Sequence, residues 1–180
     1  MIKRINQWLL KLAGWKIKLE VEPVSKCVIS VAPHTSNWDF IIGKMICSVI
    51  GFKISFLMKK EWFNFPLGYI LRAMGGIPVD RKKKTNMTEQ MVTLFNNKEK
   101  LYLVVAPEAT RKKNTNWKTG FYYIALGANV PIALAYIDYK NKQAGIAPYF
   151  FPTGNEENDM KEIKSFYSRF TGKNPTGFAI

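Results

Sequence analysis

The pair in this chain best able to move a proton is His34 and Asp39, five residues apart in the string HTSNWD. A neutral imidazole can take a proton from a hydroxyl near neutral pH, and a positioned base contributes about 10²–10⁴-fold to a rate. A carboxylate beside it holds the ring in one tautomer and stabilises the imidazolium that forms. On one ideal helix, residues five apart point about 140° from each other, given 3.6 residues per turn. His34 is therefore predicted in the turn before a helix, with Asp39 in that helix's first turns. Pro33 and the capping candidates Thr35, Ser36 and Asn37 suit such a break. His34 is the chain's only histidine, and a lone histidine is more commonly structural than catalytic. Three further fragments weigh against the bland reading: GGIPVDR (75–81), PEATR (107–111) and VPIA (130–133). Arg81 can bind a phosphate bidentately, its guanidinium charged at any relevant pH. Taken alone, an Asp80–Arg81 loop simply facing water is the plainer reading.

In residue type, order and separation, the four fragments resemble the four motifs of the glycerolipid acyltransferase family. The first motif, NHxSxxD, is matched at His34, Ser36 and Asp39, with Pro33 where asparagine is usual. The second, GxIxIDR, is matched in type at Gly76, Ile77, Val79, Asp80 and Arg81. The segment before it, Lys59 to Gly76, is also similar. The third, FPEGTRS, is matched at Pro107, Glu108, Thr110 and Arg111. Ala109 replaces a glycine whose backbone freedom alanine lacks. Lys118 and Gly120 fit the next segment, and Val130, Pro131 and Ile132 fit the fourth motif.

Over residues 28–135 this resemblance implies an O-acyltransferase with His34 as general base and Asp39 as its orienter. Ser36, Arg81, Glu108, Thr110, Arg111 and Lys118 become expected substrate-binding residues. Glu108 would meet the acceptor's polar head, and Arg111 its phosphate. The implied donor is acyl-CoA or acyl-carrier protein, with no cofactor and no metal. The implied acceptor is lysophospholipid-like, foremost 1-acylglycerol 3-phosphate, giving phosphatidic acid. A lyso-aminolipid of the ornithine or glycine type, or glycerol 3-phosphate, is an alternative acceptor. From another class, a non-catalytic basic domain that binds membrane or nucleic acid is the competing reading.

The elements that must hold these residues are legible as well. Strands are predicted at 16–21, 27–32, 52–58, 77–79, 101–106, 131–138 and 145–151. Helices are predicted at 38–50, 66–74, 86–98, 118–128 and 156–170. The 38–50 helix is apolar nearly all round, as expected of a buried helix. Asn86 and Glu89 are placed like a capping box, and Lys82 to Lys84 read as a solvated loop. Met160, Ile163, Phe166, Tyr167 and Phe170 stand at core spacing. Strands alternating with helices predict an α/β fold: a single domain with a central mixed β-sheet flanked by helices.

Residues 2–13 predict an N-terminal amphipathic helix. Ile2, Ile5, Trp8, Leu9 and Leu12 share one face, with Lys3, Arg4, Gln7 and Lys11 towards the other and Trp15 just beyond. Such a helix suits the lipid headgroup layer, or it packs on the domain's own core. The expected division is therefore 1–14 for a membrane-surface helix and 15–180 for an acyltransferase domain.

Charge points the same way. Lys and Arg number 27 against 13 Asp and Glu, a net charge of +14, which calls for a polyanionic partner. Without a zinc finger, an RNA-binding aromatic signature or a glycine-rich nucleotide loop, nucleic acid is not expected. An anionic membrane surface is, and an acidic acyl carrier protein suits the same charge. Lys11 breaks the first apolar stretch, so no signal peptide is expected, and no apolar run reaches the 18 residues of a membrane span. The expected location is cytoplasmic, peripheral on the inner face of the cell membrane. Cys27 and Cys47, in separate apolar runs, are expected to be buried thiols.

Overall fold

The computed structural model describes residues 2–79 and 87–180. Asp80 and Arg81 of the second motif, the lysine run 82–84 and the capping candidate Asn86 lie outside the described residues. Among the described residues, one seven-stranded mixed sheet runs through the molecule. Its strands are β1 (Lys16–Leu19), β2 (Lys26–Val31), β3 (Ile54–Lys59), β4 (Gly76–Val79), β5 (Leu101–Val105), β6 (Ile132–Asp138) and β7 (Gln143–Ile146). Their order across the sheet is β1-β7-β6-β2-β5-β3-β4. The five strands from β6 to β4 are mutually parallel, β7 returns antiparallel to β6, and β1 lies parallel to β7.

Helices α1 (Ile2–Leu12), α2 (Trp38–Ile50), α3 (Leu67–Ala73), α4 (Met87–Asn96), α5 (Gly120–Ala128) and α6 (Glu156–Tyr167) complete the domain. The predicted α/β architecture is thus the observed one. Because side chains alternate across a strand, β2 sends Val28 to one face and Cys27 and Ile29 to the other. The first face closes against α4, α5 and α6 through Phe95, Tyr122, Ile163 and Tyr167. The second lies under α1 and α2, where Leu10, Ile42 and Ile46 pack with Ile137 and Ala144.

Several local expectations are corrected. Helix α2 is not buried all round: Asp39, Ile42 and Ile46 form a buried stripe, while Trp38, Phe40 and Ile41 are exposed. An apolar composition marked the helix but not how much of it the sheet covers. Cys27 is buried as expected, whereas Cys47, on α2, is partly exposed. Strand β7 stops at Ile146, and Phe150 makes only an isolated bridge to Ile132. Pro148 lies between them and has no N–H to offer a ladder. The Gly75–Gly76 turn is present as predicted. Gly75 has φ +96°, and a Cβ there would sit 2.2 Å from the carbonyl oxygen of Ile54.

Helix α1 docks on α2 through Leu10, which lies off the apolar face read from the sequence. That face, Ile2, Ile5, Trp8, Leu9 and Leu12, is exposed. Among the described residues, no helix is long and apolar enough to cross a membrane.

Candidate active site

Three adjacent parallel strands, β6, β2 and β5, end at the same edge of the sheet and deliver Tyr139, His34 and Glu108 in the loops that follow. In open α/β sheets, the crevice outside the carboxyl ends of the strands is where ligands bind. His34 occupies the loop between β2 and α2, and Asp39 the first turn of α2, as the five-residue spacing required.

Asp39 is almost wholly buried and hydrogen-bonded at both oxygens. Its Oδ2 accepts the backbone N–H groups of Thr35 and Ser36, each at 2.8 Å, and lies 3.3 Å from His34 Nδ1. Its Oδ1 accepts the Tyr139 hydroxyl at 2.7 Å. Burial alone would push this carboxyl up, but the bonds from His34, Tyr139 and Ser36 outweigh it and hold the group below its ordinary value. A carboxylate so fixed directs the Nδ1 proton of His34 towards itself and leaves Nε2 as the basic nitrogen.

Glu108 is fully buried, and its Oε1 accepts the backbone N–H of His34 at 2.6 Å. Its Oε2 has no hydrogen-bond partner. Burial pushes its carboxyl up to about 7, against the smaller lowering effect of His34. The chain just after it carries the departure noted in the third motif. Ala109 has φ +56°, so the left-handed turn a glycine would favour is formed with alanine in place.

A cavity of about 1160 Å³ opens beside this dyad, larger than the roughly 300–1,000 Å³ of ordinary small-molecule pockets. Much of its lining is apolar, with Ile29, Ile46, Ile50, Ile54 and Val104 among it. His34 and Asp39 reach it, as do Thr110, Arg111 and Lys118. Arg111 and Lys118 are exposed cations, and the Lys118 backbone N–H is tied to Pro107 O at 2.8 Å. The structure thus brings five of the proposed site residues to one cavity. Two others stand behind it: Glu108, and Ser36, whose hydroxyl accepts the Trp38 N–H at 3.2 Å. Arg81 lies outside the described residues. Burial pushes both thiols up to about 12, so Cys47, which lines the cavity, is not a thiolate near neutral pH.

A family model described as Acyltransferase matches residues 16–137, which contain all four motifs. The chain belongs to the acyltransferase family. In fold, this acyltransferase is similar to the crystal structure of the 1-acyl-sn-glycerophosphate (LPA) acyltransferase PlsC from Thermotoga maritima. The two share 18% sequence identity with a TM-score of 0.65, over 93% of this chain and 76% of that one. Among curated proteins, none matches.

Three residues of the candidate site carry no motif signal. Tyr139 follows the β6 run directly, and only the pairing of β6 with β2 brings it to Asp39. Asn174 clamps the histidine loop from the C-terminal segment. Its backbone N–H donates to Thr35 Oγ1 at 3.1 Å and its side-chain amide to Thr35 O at 2.9 Å. Lys44 lines the cavity from α2 and donates to Met74 O at 3.1 Å, with burial lowering its basicity. A single cation inside an apolar helical run was the available signal for that one.

Proposed function

We propose that this acyltransferase moves a fatty acyl group from acyl-CoA or acyl-carrier protein to the hydroxyl of a lysophospholipid-like acceptor. The acceptor we favour is 1-acylglycerol 3-phosphate, giving phosphatidic acid. The observation that carries the reading is a histidine–carboxylate dyad at a large apolar cavity that Arg111 and Lys118 also line. His34 Nε2 takes the acceptor's hydroxyl proton as its oxygen attacks the thioester carbonyl. The tetrahedral adduct collapses to the ester and expels the thiolate, which receives that proton from His34. Direct attack is favoured over an acyl-cysteine because burial keeps both thiols protonated. The cavity suits an acyl chain, and the cations suit a phosphate. PlsC is named for action on 1-acyl-sn-glycerophosphate, which supports this choice of acceptor.

In the same reading the protein works as a peripheral enzyme on an anionic cytoplasmic membrane face. The exposed Ile5, Trp8 and Leu9 of α1, beside Lys3 and Arg4, support interfacial seating. The excess of basic residues attracts anionic lipid at about 1 kcal/mol per well-placed cation. The test incubates the purified protein on anionic liposomes with acyl-CoA or acyl-carrier protein and a series of lysolipids, read by mass spectrometry. Phosphatidic acid should form, and His34→Ala should cut its rate at least about a hundredfold while keeping the fold. Undiminished turnover in His34→Ala would sink the mechanism. A product formed only from a lyso-aminolipid would replace the acceptor.

A further inference from the structure

Asp39 can orient His34 only if its own carboxylate is held still. The last torsion of an aspartate is soft and roughly two-fold, so the rotamer does not fix it. Hydrogen bonds must. Oδ2 has the Thr35 and Ser36 backbone N–H groups, both on the same short loop as His34. The donor that Oδ1 meets is the Tyr139 hydroxyl at 2.7 Å, from outside that loop. Burial and the neighbouring Asp39 push this phenol well above its ordinary value, so it serves as a donor.

Tyr139 is in turn held from two sides. Its backbone N–H donates to Thr171 O at 2.9 Å. Its ring meets Trp15 edge to face, with centroids 5.2 Å apart and planes at 85°. Trp15 is fastened to the end of α1, its backbone N–H donating to Leu10 O at 2.8 Å. Leu10 is also the buried residue by which α1 seats on α2. A chain of contacts therefore runs from α1 through Trp15 and Tyr139 to Oδ1 of Asp39.

We propose that Tyr139 is a positioning residue for the His34–Asp39 dyad, and that Trp15 fixes its ring, so that the seating of α1 sets the aim of the catalytic base. The inference rests on the acyl-transfer reading given above. Tyr139→Phe keeps the ring and removes only the hydroxyl. It leaves Oδ1 buried without its donor and frees the carboxylate to rotate. Because neither side chain is assigned to substrate, the loss should fall on kcat.

The experiment measures kcat and KM for donor and acceptor in wild type, Tyr139→Phe, Trp15→Ala, Trp15→Phe and the double variant Tyr139→Phe/Trp15→Ala, each checked for fold by circular dichroism. Tyr139→Phe should lower kcat about tenfold or more, with both KM values within about twofold. Trp15→Ala should lower kcat about threefold and Trp15→Phe should restore it, since an edge-to-face ring is regained. The double variant should be no slower than Tyr139→Phe alone, because Trp15 acts through the hydroxyl that is already gone. An unchanged kcat in Tyr139→Phe, a loss confined to KM, or losses that multiply in the double variant would each overturn the proposal. Should Tyr139→Phe not fold, the two Trp15 variants decide: equal kcat in Trp15→Ala and wild type overturns it. The two readings fail differently. If wild type turns over, His34→Ala is dead and Tyr139→Phe is fully active, only the positioning role falls; if wild type shows no acyl transfer, the functional reading falls and takes this one with it.

Discussion

On the face of the sheet covered by α4, α5 and α6, Leu103, Phe95, Tyr122 and Ile163 join one continuous cluster, each essentially without solvent contact. On the face under α1 and α2, the apolar side chains fall into two smaller clusters, and the cavity of about 1160 Å³ lies largely on that side. Both faces are apolar in sequence, and the cavity interrupts mainly one of them, with Phe121, Ile124 and Tyr136 reaching it from the other. Interiors normally reach crystal-like density, and unfilled volume lowers stability. The difference teaches that the closed face holds the fold together, while the open face gives up packing to keep room beside His34.

That division is broken most directly by truncating one side chain on each face. Phe95→Ala, on the closed face, should cost about 3–5 kcal/mol of unfolding free energy. Ile50→Ala, on a partly exposed cavity wall, should cost about 1 kcal/mol, since part of its surface already lacks partners. Urea unfolding measures both. Equal losses would mean that the open face is as tightly committed to the fold as the other.

Glu108 stands where the two regions meet, bonded to His34 on one side and within electrostatic reach of Tyr167 of the closed face. Burial raises its carboxyl from 4.5 to about 7, so between these values the folded state holds a proton that the unfolded chain has released. Its contribution to stability is full below about pH 4.5 and is lost as pH rises through about 7. Glu108→Gln keeps an acceptor for the His34 N–H and cannot ionise. Its urea midpoint should therefore fall less than that of wild type between pH 5 and pH 8, a window set by this shift. Asp39, lowered from 3.8, acts in the opposite sense and at lower pH, so it leaves that window alone. Parallel stability profiles for the two proteins would mean that Glu108 is not the titrating group.

The cationic lining is the next smaller effect. Arg111→Ala should raise the acceptor KM about tenfold for lysophosphatidic acid, and much less for a phosphate-free analogue, with donor KM unchanged. Equal losses on both acceptors would assign Arg111 to shaping the loop.

Legibility in the sequence follows the same split. The strand runs, the α/β alternation and the break between His34 and Asp39 were readable because period and spacing are local properties. The openness of α2 was not, since its apolar letters are the same whether they face a sheet, a cavity or solvent. Tyr139 and Asn174 were equally invisible, because sheet order and the path of the C-terminal segment bring them to the loop from 100 and 139 residues away. Glu108 was singled out by resemblance as a ligand for the acceptor; that its Oε1 also accepts the His34 backbone N–H is a contact no motif encodes.

Ala109 supplies the smallest and cleanest test, because it lies at the cavity and outside every packed cluster. Its φ of +56° lies in the left-handed region, where an L-residue with a Cβ is disfavoured by roughly 1–2 kcal/mol. Glycine removes that strain but widens the unfolded ensemble, which gives back about 0.5–1 kcal/mol. Ala109→Gly should therefore stabilise the protein by about 0.5–1 kcal/mol, a rise of about 1–4 °C in Tm for a chain of this size. A fall in Tm would show that alanine is held there by contacts worth more than the strain, and would bring the cavity region closer to the packing standard of the other face.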